Sequence, residues 1–515
     1  MATIVREPNV TMTLSSALQQ ISNTEQRALI IGQKTPAGTA VSGQLYTNLL
    51  SVNDVSDLAG AGSIGDSMYR NIRKTNGVSR VDAIFLSDAG GAVKATGVFT
   101  ITGTPTATGE LTFIVGSESD HSYIIPIALA DTPTTIGALL ASAINADTKA
   151  PVTGANVAGV VTLTANNGGT LGNLIGIAVD GSSAGISVAL TAFSAGATDP
   201  VLTTVFDPIE NLRYQTIAWA YGSNTATIGN FLGARWNVAN NILDGVGVMT
   251  INSTYGNALS TLNALNNQSL AIFVDEPVNE TAYKAPSVFE MAWCATAQIS
   301  GIKALKLTTG ASTTGLVIAG TGSNDRFGGM HMASFPYFNM PTSMSPRTSG
   351  TTSRGFTQQE QDGIKNAGGA IYGNNTSGSL VILGEVATTY KTDNASNTDV
   401  TFKYLEYVDT SSVCREFFSN NARARFGQTR LTRGGVNPNT SMVNTATIEA
   451  YFCQLYQELA NMSLTQDGDE FMSFFRENLN VTIDMSAGLV TAKLTLPIVT
   501  QLRQLLADIE ITFNV

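Results

Sequence analysis

The chain announces most of its elements through the spacing of apolar residues. Val10, Met12 and Leu14 alternate with threonines, a period-two strand pattern, and a Ser/Gln/Asn-rich link follows to Thr24. Ala28-Leu-Ile-Ile-Gly32 reads as a short buried strand, Asp57 to Asn76 as helix-rich and Val81 to Leu86 as a strand. After Gly90-Gly91 the pattern changes. From Thr96 to Ala195 short alternating runs dominate: Gly97 to Ile101, Leu111 to Val115, Val160 to Thr164 and Ile186 to Leu190. One helix candidate, Thr135 to Asn145, interrupts them. Short strands between glycine turns predict a sandwich or small barrel.

The first pattern resumes after Asp199-Pro200. Tyr214 to Trp219, Gly245 to Met249 and Leu270 to Val274 read as strands, with helices over Thr227 to Leu243 and Tyr255 to Asn266. That alternation predicts a mostly parallel, helix-covered sheet with a β-rich domain inserted into it. Gly320 to Arg354 reads as a long Gly/Ser/Met/Pro-rich excursion. A third unit begins near Asp399, with helices over Phe402 to Phe418 and Thr447 to Met462. Leu479, Val481 and Ile483, then Val490, Ala492, Leu494 and Leu496, mark two alternating strands joined at Ser486-Ala-Gly488. Pro497 is expected to open a last helix with Ile498, Leu502, Leu505 and Leu506 inward. The final residues alternate again: Ile509, Ile511, Phe513 and Val515 share one face.

The predicted division is an N-terminal arm (1–24), an α/β core (25–92 plus 198–395), an inserted β-rich domain (93–197), a C-terminal α+β domain (396–507) and a C-terminal arm (508–515). Two arms with one apolar face each need partners, because unpaired strand backbone and apolar side chains are both costly in water. The hairpin Leu479 to Leu496 offers edges that can accept a strand from another chain. An extended arm of about 20 residues spans ~65 Å, enough to reach a neighbouring subunit. Such head-to-tail lending makes rings or helical filaments.

Composition sharpens this picture. Of 515 residues, 43% are hydrophobic and only 13% charged, so the surface must be carried by Thr, Ser, Asn and Gly. A weakly charged surface suits a protein packed against copies of itself. The net charge of −11 and pI near 4.8 argue against nucleic acid as the main partner. No apolar run reaches the length of a membrane span, and Met1 to Pro8 lack a signal-peptide core, so no membrane partner and folding in a cytoplasm are expected. Cys294, Cys414 and Cys453 are dispersed and read as reduced thiols.

Candidate chemistry is thin. Gly60-Ala-Gly62-Ser-Ile-Gly65 satisfies G-x-G-x-x-G, with Asp82 downstream. A dinucleotide site needs the first glycine directly after a strand, whereas Asn53 to Leu58 read as helix or turn. A glycine-rich turn is therefore expected. The only histidines are His121 and His331. Met330-His331-Met332 has soft-metal ligands without a second histidine or a cysteine pair nearby. Asp467 and Asp469 sit in a polar turn. We expect no catalytic residues, no cofactor and no metal. One cluster stands out in an acidic chain: Arg415, Arg423, Arg425, Arg430 and Arg433 are either a solvated helix face or a docking face for an acidic partner.

The order of several segments resembles the contractile phage tail sheath proteins, in particular their Mu-like branch. Ala28 to Gln33, Ile144-Asn-Ala-Asp-Thr148, Gly159 to Ala165, Thr388-Thr-Tyr-Lys-Thr392 with Val400 to Val408, and Leu496-Pro497 with the terminal strand carry it. The resemblance implies a subtilisin-like α/β core without protease chemistry, an inserted outer domain and a tube-facing C-terminal domain with strand-exchanging arms. It implies a homo-oligomer of hexameric rings stacked helically around a tail tube protein, with baseplate and tail terminator proteins as further partners. The expected location is the virion tail, and the host cytoplasm during assembly. A tube-facing role for Arg415, Arg423 and Arg425 is carried over from their position. Rival classes are another self-assembling virion protein, the sheath of a phage-derived bacteriocin or secretion system, and an enzyme on a subtilisin-like or nucleotide-binding core.

Overall fold

A computed structural model describes residues 26–117, 120–236, 243–277, 291–307, 337, 340, 342–343, 356–374, 379–436 and 441–500. Strand β1 (Arg27–Gln33), the two-residue β2 (Leu45–Tyr46), helices α1 (Val52–Ala59) and α2 (Ile64–Thr75) and strand β3 (Arg80–Leu86) open the first unit. Seven strands and a helix follow as the insertion: β4 (Lys94–Gly103), β5 (Gly109–Val115), β6 (Ser122–Ile127), α3 (Pro133–Ala146), β7 (Val152–Val157), β8 (Val160–Gly168), β9 (Ile177–Asp180) and β10 (Ile186–Ser194). The first unit then resumes with β11 (Thr216–Ala218), α4 (Thr225–Arg235), β12 (Val246–Asn252), α5 (Tyr255–Asn263), β13 (Leu270–Asp275), α6 (Ala292–Leu307), α7 (Gln358–Asn366), β14 (Gly369–Asn374) and β15 (Leu380–Leu383).

These strands form one eight-stranded sheet in the order β15-β14-β13-β12-β11-β1-β3-β2, parallel from β14 to β3 and antiparallel at both edges. The central strands are buried on both faces, which is why they read as unbroken apolar runs. Val246, Val248, Ala271 and Phe273 face α6, packing with Ala295, Ile299 and Ile302. On the other face Gly247 lies under Trp219 and Ile228, where a side chain would not fit, and α4 comes close to the sheet.

Helix α6 is buried along almost its whole length although it is not wholly apolar. Several of its polar groups are matched from outside the helix. Trp293 Nε1 donates to Ser67 Oγ at 2.9 Å, Gln298 Nε2 to Asn71 Oδ1 at 2.8 Å, and Thr75 Oγ1 to the Gln298 carbonyl at 2.9 Å. Thr296 Oγ1 accepts from Thr250 N at 2.8 Å. Gly301 lets α2 approach, since a Cβ there would lie 2.2 Å from Thr75 Oγ1.

The insertion is a sandwich with a four-stranded sheet, β10-β4-β8-β7, and a three-stranded sheet, β6-β5-β9. All its ladders are antiparallel. Phe99 of β4 and Phe113 of β5 meet edge to face at 5.1 Å across the layers. Helix α3 starts at the capping box of Thr132 and Thr135 with Pro133 in its first turn, and buries Ile136, Leu140 and Ile144 at helical spacing.

The C-terminal part contains α8 (Leu405–Phe426), the short parallel pair β16 (Arg430–Leu431) and β17 (Met442–Val443), α9 (Thr445–Asn461), α10 (Asp469–Asn478) and the antiparallel hairpin β18 (Asn480–Asp484) and β19 (Leu489–Lys493). Its core is aromatic. Phe418 packs edge to face on Phe452 at 5.8 Å, and Phe475 stacks on Tyr456 at 4.6 Å.

The sequence expectations need four adjustments. Helix α8 runs on to Phe426, with Arg423 and Arg425 in its last turn, where cations oppose the carbonyl end of the helix dipole. The strand expected over Tyr214 to Trp219 shrinks to three residues, and α5 stops at Asn263. Within the described residues Pro497 opens no helix. The chain stays extended there, with Pro497 O accepting from Gln466 N at 2.9 Å and Ile498 bridging antiparallel to Thr465. Leu502, Leu505 and Leu506 lie outside the described residues, as do Val10, Met12, Leu14, Ile509, Ile511, Phe513 and Val515.

Candidate assembly surface

Doubly wound sheets take ligands at the carboxyl ends of their strands, where the strand order reverses. Here that point lies beside β1, and the insertion fills it. Gln33, the last residue of β1, donates to Asp88 Oδ1 and to the Gly168 carbonyl, each at 2.8 Å. Asn167 of β8 donates to Lys34 O and Asp88 Oδ1, both at 3.0 Å, and Asp88 Oδ2 accepts from Gly168 N at 2.8 Å.

The same residues answer the G-x-G-x-x-G reading. Gly60 and Gly62 lie in the turn between α1 and α2, after a helix and not after a strand. The Ile64 N–H at the start of α2, where a phosphate would sit, donates to Asn167 Oδ1 at 3.0 Å. Gly62 adopts φ +70°, and a Cβ there would lie 2.3 Å from Ala150 O. Asp82 sits near the amino end of β3, accepting from Tyr214 Oη at 2.8 Å and Asn48 N at 2.6 Å. The glycine-rich turn is a seat for the insertion.

His121 is buried in the insertion, its Nδ1 2.8 Å from Asp147 Oδ2. Burial pushes the Asp147 carboxyl up, but hydrogen bonds from His121, Lys149 N and Tyr123 outweigh it and leave the group below its ordinary value. His331, Met330 and Met332 lie outside the described residues. Among the described residues no three His, Cys, Asp or Glu side chains stand close enough to hold a metal ion, and no helix is long and apolar enough to cross a membrane.

The hairpin residues come together as the alternation predicts. Val481 pairs with Ala492 and Ile483 with Val490. Val481, Val490 and Ala492, with Leu479, Leu494 and Leu496, pack on the C-terminal aromatic core, while Asn480, Thr482, Thr491 and Lys493 face outward. The turn is tied by Asp484 Oδ1, which accepts from Ser486 N at 2.8 Å and Ser486 Oγ at 2.6 Å, and Gly488 adopts φ +62°. Among the described residues this sheet has two strands only, so β18 and β19 each present one edge without a ladder partner. A short two-stranded sheet anchored by one face leaves the backbone groups of both edges outside any ladder among the described residues.

The arginines divide. Arg423 and Arg425 are exposed at the end of α8, Arg425 lying 6.0 Å from the Tyr451 ring centre. Arg430 and Arg433 are exposed beyond it. Arg415 departs from the expected outward placement. Its Nη2 donates to Trp236 O at 2.6 Å, its guanidinium lies 4.4 Å from the Trp236 ring centre, and Nη1 is 3.5 Å from Asp244. It holds α8 to the sheet unit.

Arg415 belongs to a larger set of charges that the residue pattern did not reveal. Arg213 pairs with Glu416 at 2.6 Å and with Asp244 at 3.2 Å. Lys303 and Lys306 of α6 are 1% exposed and approach Asp409 of α8 at 2.8 and 3.7 Å. Tyr337 Oη also donates to Asp409, and Glu406 is buried one turn away. Most of these partners stand far apart in the chain, 106 residues for Lys303 and Asp409 and 203 for Arg213 and Glu416, so no local signal marks them. Burial lowers the Lys306 ammonium to about 8, although Asp409 and Glu406 act to raise it.

No family model matches the chain. The chain is similar over most of its length to a tail sheath protein. The Mu-like prophage FluMu tail sheath protein of Haemophilus influenzae is 21% identical over 456 residues, covering 86% of this chain and 85% of that protein. Among solved structures, the sheath tail protein of Desulfitobacterium hafniense is 10% identical with a TM-score of 0.43, covering 93% of this chain and 98% of that one. A chain of the anti-feeding prophage baseplate is 9% identical with a TM-score of 0.47, covering 96% and 94%. The Haemophilus relative bears out the resemblance to contractile-tail sheath proteins read from the residue order.

The Lys306 shift has a measurable consequence. A lysine held below its free value of 10.5 binds fewer protons folded than unfolded, so its penalty on stability is fully present below about pH 8 and lifts as pH rises toward 10.5. Chemical denaturation should show a gain of about 1–2 kcal/mol between about pH 8 and about pH 9.5 that Lys306→Met lacks. Parallel pH profiles for the two proteins would contradict it.

Proposed function

We propose that this chain is the structural subunit of a contractile tail sheath. It polymerises as stacked hexameric rings around an inner tube and contracts to drive the tube through a host envelope. The observation that carries the reading is the hairpin, sealed on one face by the aromatic core and open at both edges, in a chain whose relative over most of its length is a tail sheath protein. Its role is scaffolding rather than catalysis, on a core of subtilisin-like α/β type without protease chemistry.

In this reading the arms 1–24 and 508–515 add strands to the hairpins of neighbouring copies. Their roots support it. Gln26, where the described chain begins, lines the same cleft as Ser412 and Glu416 of α8. The chain around Val499 lies against Leu464 of the C-terminal part. Gln26 thus sits beside α8, and the chain at Val499 beside the C-terminal part. The insertion faces away from the tube, and the C-terminal part faces it. Arg423 and Arg425 are the charges free to meet an acidic tube surface, with Arg415 excluded by its contacts to Trp236 and Asp244. Baseplate and terminator proteins cap the two ends of the polymer. The chain works in the virion tail after assembly in the host cytoplasm.

Electron microscopy of the purified protein tests the reading. Striated hollow tubes or stacked rings are expected, and a persistent monomer would sink it. Removing Asp508 to Val515 should leave a folded chain that no longer polymerises, seen as native circular dichroism without tubes; normal tubes from the truncation would remove the arm mechanism. Arg423→Glu with Arg425→Glu should weaken co-assembly with tube protein by roughly tenfold or more while self-assembly persists. Undiminished co-assembly in a pelleting assay would count against the tube-facing assignment.

A further inference from the structure

The sheet unit and the C-terminal part have separate apolar cores. Among the described residues Leu307 is the one from the sheet unit buried in the C-terminal cluster, which is otherwise built from α8, α9, α10, the hairpin and their connections. Helix α8 belongs to both. Leu405 and Val408, in its first turns, pack with Ile299 and Ile302 of α6, and Val413, Phe417 and Phe418 pack in the C-terminal core. A 22-residue helix is about 33 Å long, so it joins the two bodies as a rod.

Beside these apolar contacts, the face of α8 that meets the sheet unit is charged. It carries Glu406, Asp409, Ser412 and Glu416, spaced by three or four residues and so stacked on one face. Opposite them stand Lys303 and Lys306 of α6, with Arg213. Arg415 and Asp244 complete the belt. Four cations thus meet four anions.

An apolar interface tolerates sliding, since one methyl group replaces another. A buried charged interface does not. Shifting α8 by one turn, about 5.4 Å, in one direction would bring Val413 to the place of Asp409 and leave both lysines facing an apolar side chain; in the other it would bring Glu406 there but carry Glu416 away from Arg213. Buried ion pairs add little net stability but impose a large penalty when one partner is missing.

We propose that the Lys303–Lys306–Glu406–Asp409 cluster is a charge lock that fixes the C-terminal part in a single register on the sheet unit. Neutralising Asp409 releases that part as an intact body. The lock makes two separately cored bodies move as one, so a pull on the hairpin reaches the sheet without slippage at α8. This inference rests on the geometry of the single chain and does not depend on the sheath reading.

Hydrogen–deuterium exchange on the full-length, unassembled protein tests it. In Asp409→Asn, amides of Leu405 to Val413 should exchange at least tenfold faster, with β12, β13, α9 and the hairpin keeping wild-type protection. Unchanged exchange in α8 would overturn the proposal, and so would a uniform loss of protection in both bodies. The double variant Lys303→Met with Asp409→Asn removes a cation with its anion. It should return α8 to within about threefold of the wild-type rate, because Lys306 and Glu406 still balance. A double variant as labile as the single one would mean that packing, not charge, sets the register.

Discussion

The architecture depends on burying a helix that is not apolar. Helix α6 has sheet on one side, α2 on another and α8 on a third, yet it carries Thr296, Gln298, Lys303 and Lys306 in positions almost without solvent. A polar group taken out of water must find a partner, and an ionised one must find a counter-charge. Those partners come from three distant stretches: Ser67 and Asn71 of α2, Thr250 N of β12, and Asp409 of α8. Each bond ties a separate piece of chain to the same helix, so α6 sets where the others lie. The C-terminal part, with its own aromatic core, is positioned from α6 through α8.

A second constraint acts at the opposite end of the strands. The crevice that an open parallel sheet leaves at its reversal of strand order is filled by Asn166, Asn167 and Gly168 of the insertion. Asn167 serves the start of α2 as an internal anion would, presenting its carbonyl oxygen to the first free N–H. The insertion is bonded into the sheet unit through Gln33, Asp88 and the glycine-rich turn. A fold that elsewhere holds small ligands here spends its ligand crevice on holding itself together, which fits a scaffolding role.

Elements with one wet face or a short unbroken apolar run were legible. β1, β3, β13, four insertion strands (β4, β5, β8 and β10) and the hairpin announce themselves by spacing, because local burial writes a period of two or a run. Helix α6 was missed for the opposite reason. Buried all round, it has no polar stripe from which to read a helical period, and its Thr, Ser and Lys residues blur the apolar content. Arg415 shows a related limit. Its neighbours Arg423 and Arg425 are exposed, and nothing nearby in the chain marks Asp244 and Trp236 as its partners. The charge lock and the crevice network are likewise long-range pairings between residues that carry no local pattern. At Pro497 a plausible helix start gives way to extended chain because the Leu464 to Gln466 backbone offers it hydrogen bonds.

The proposed binding surface is a sheet open to further strands. The hairpin's inner face packs on the aromatic core around Phe475 and Tyr456, while among the described residues its edges have no ladder partner. Amide exchange of β18 and β19, compared between unassembled and polymerised protein, tests this most directly. The account predicts that the outward-facing amides of these strands exchange freely in the unassembled chain and become protected by at least a hundredfold in the polymer, as new ladder bonds form. Equal exchange in both states would mean that copies join through some other surface, and would contradict it.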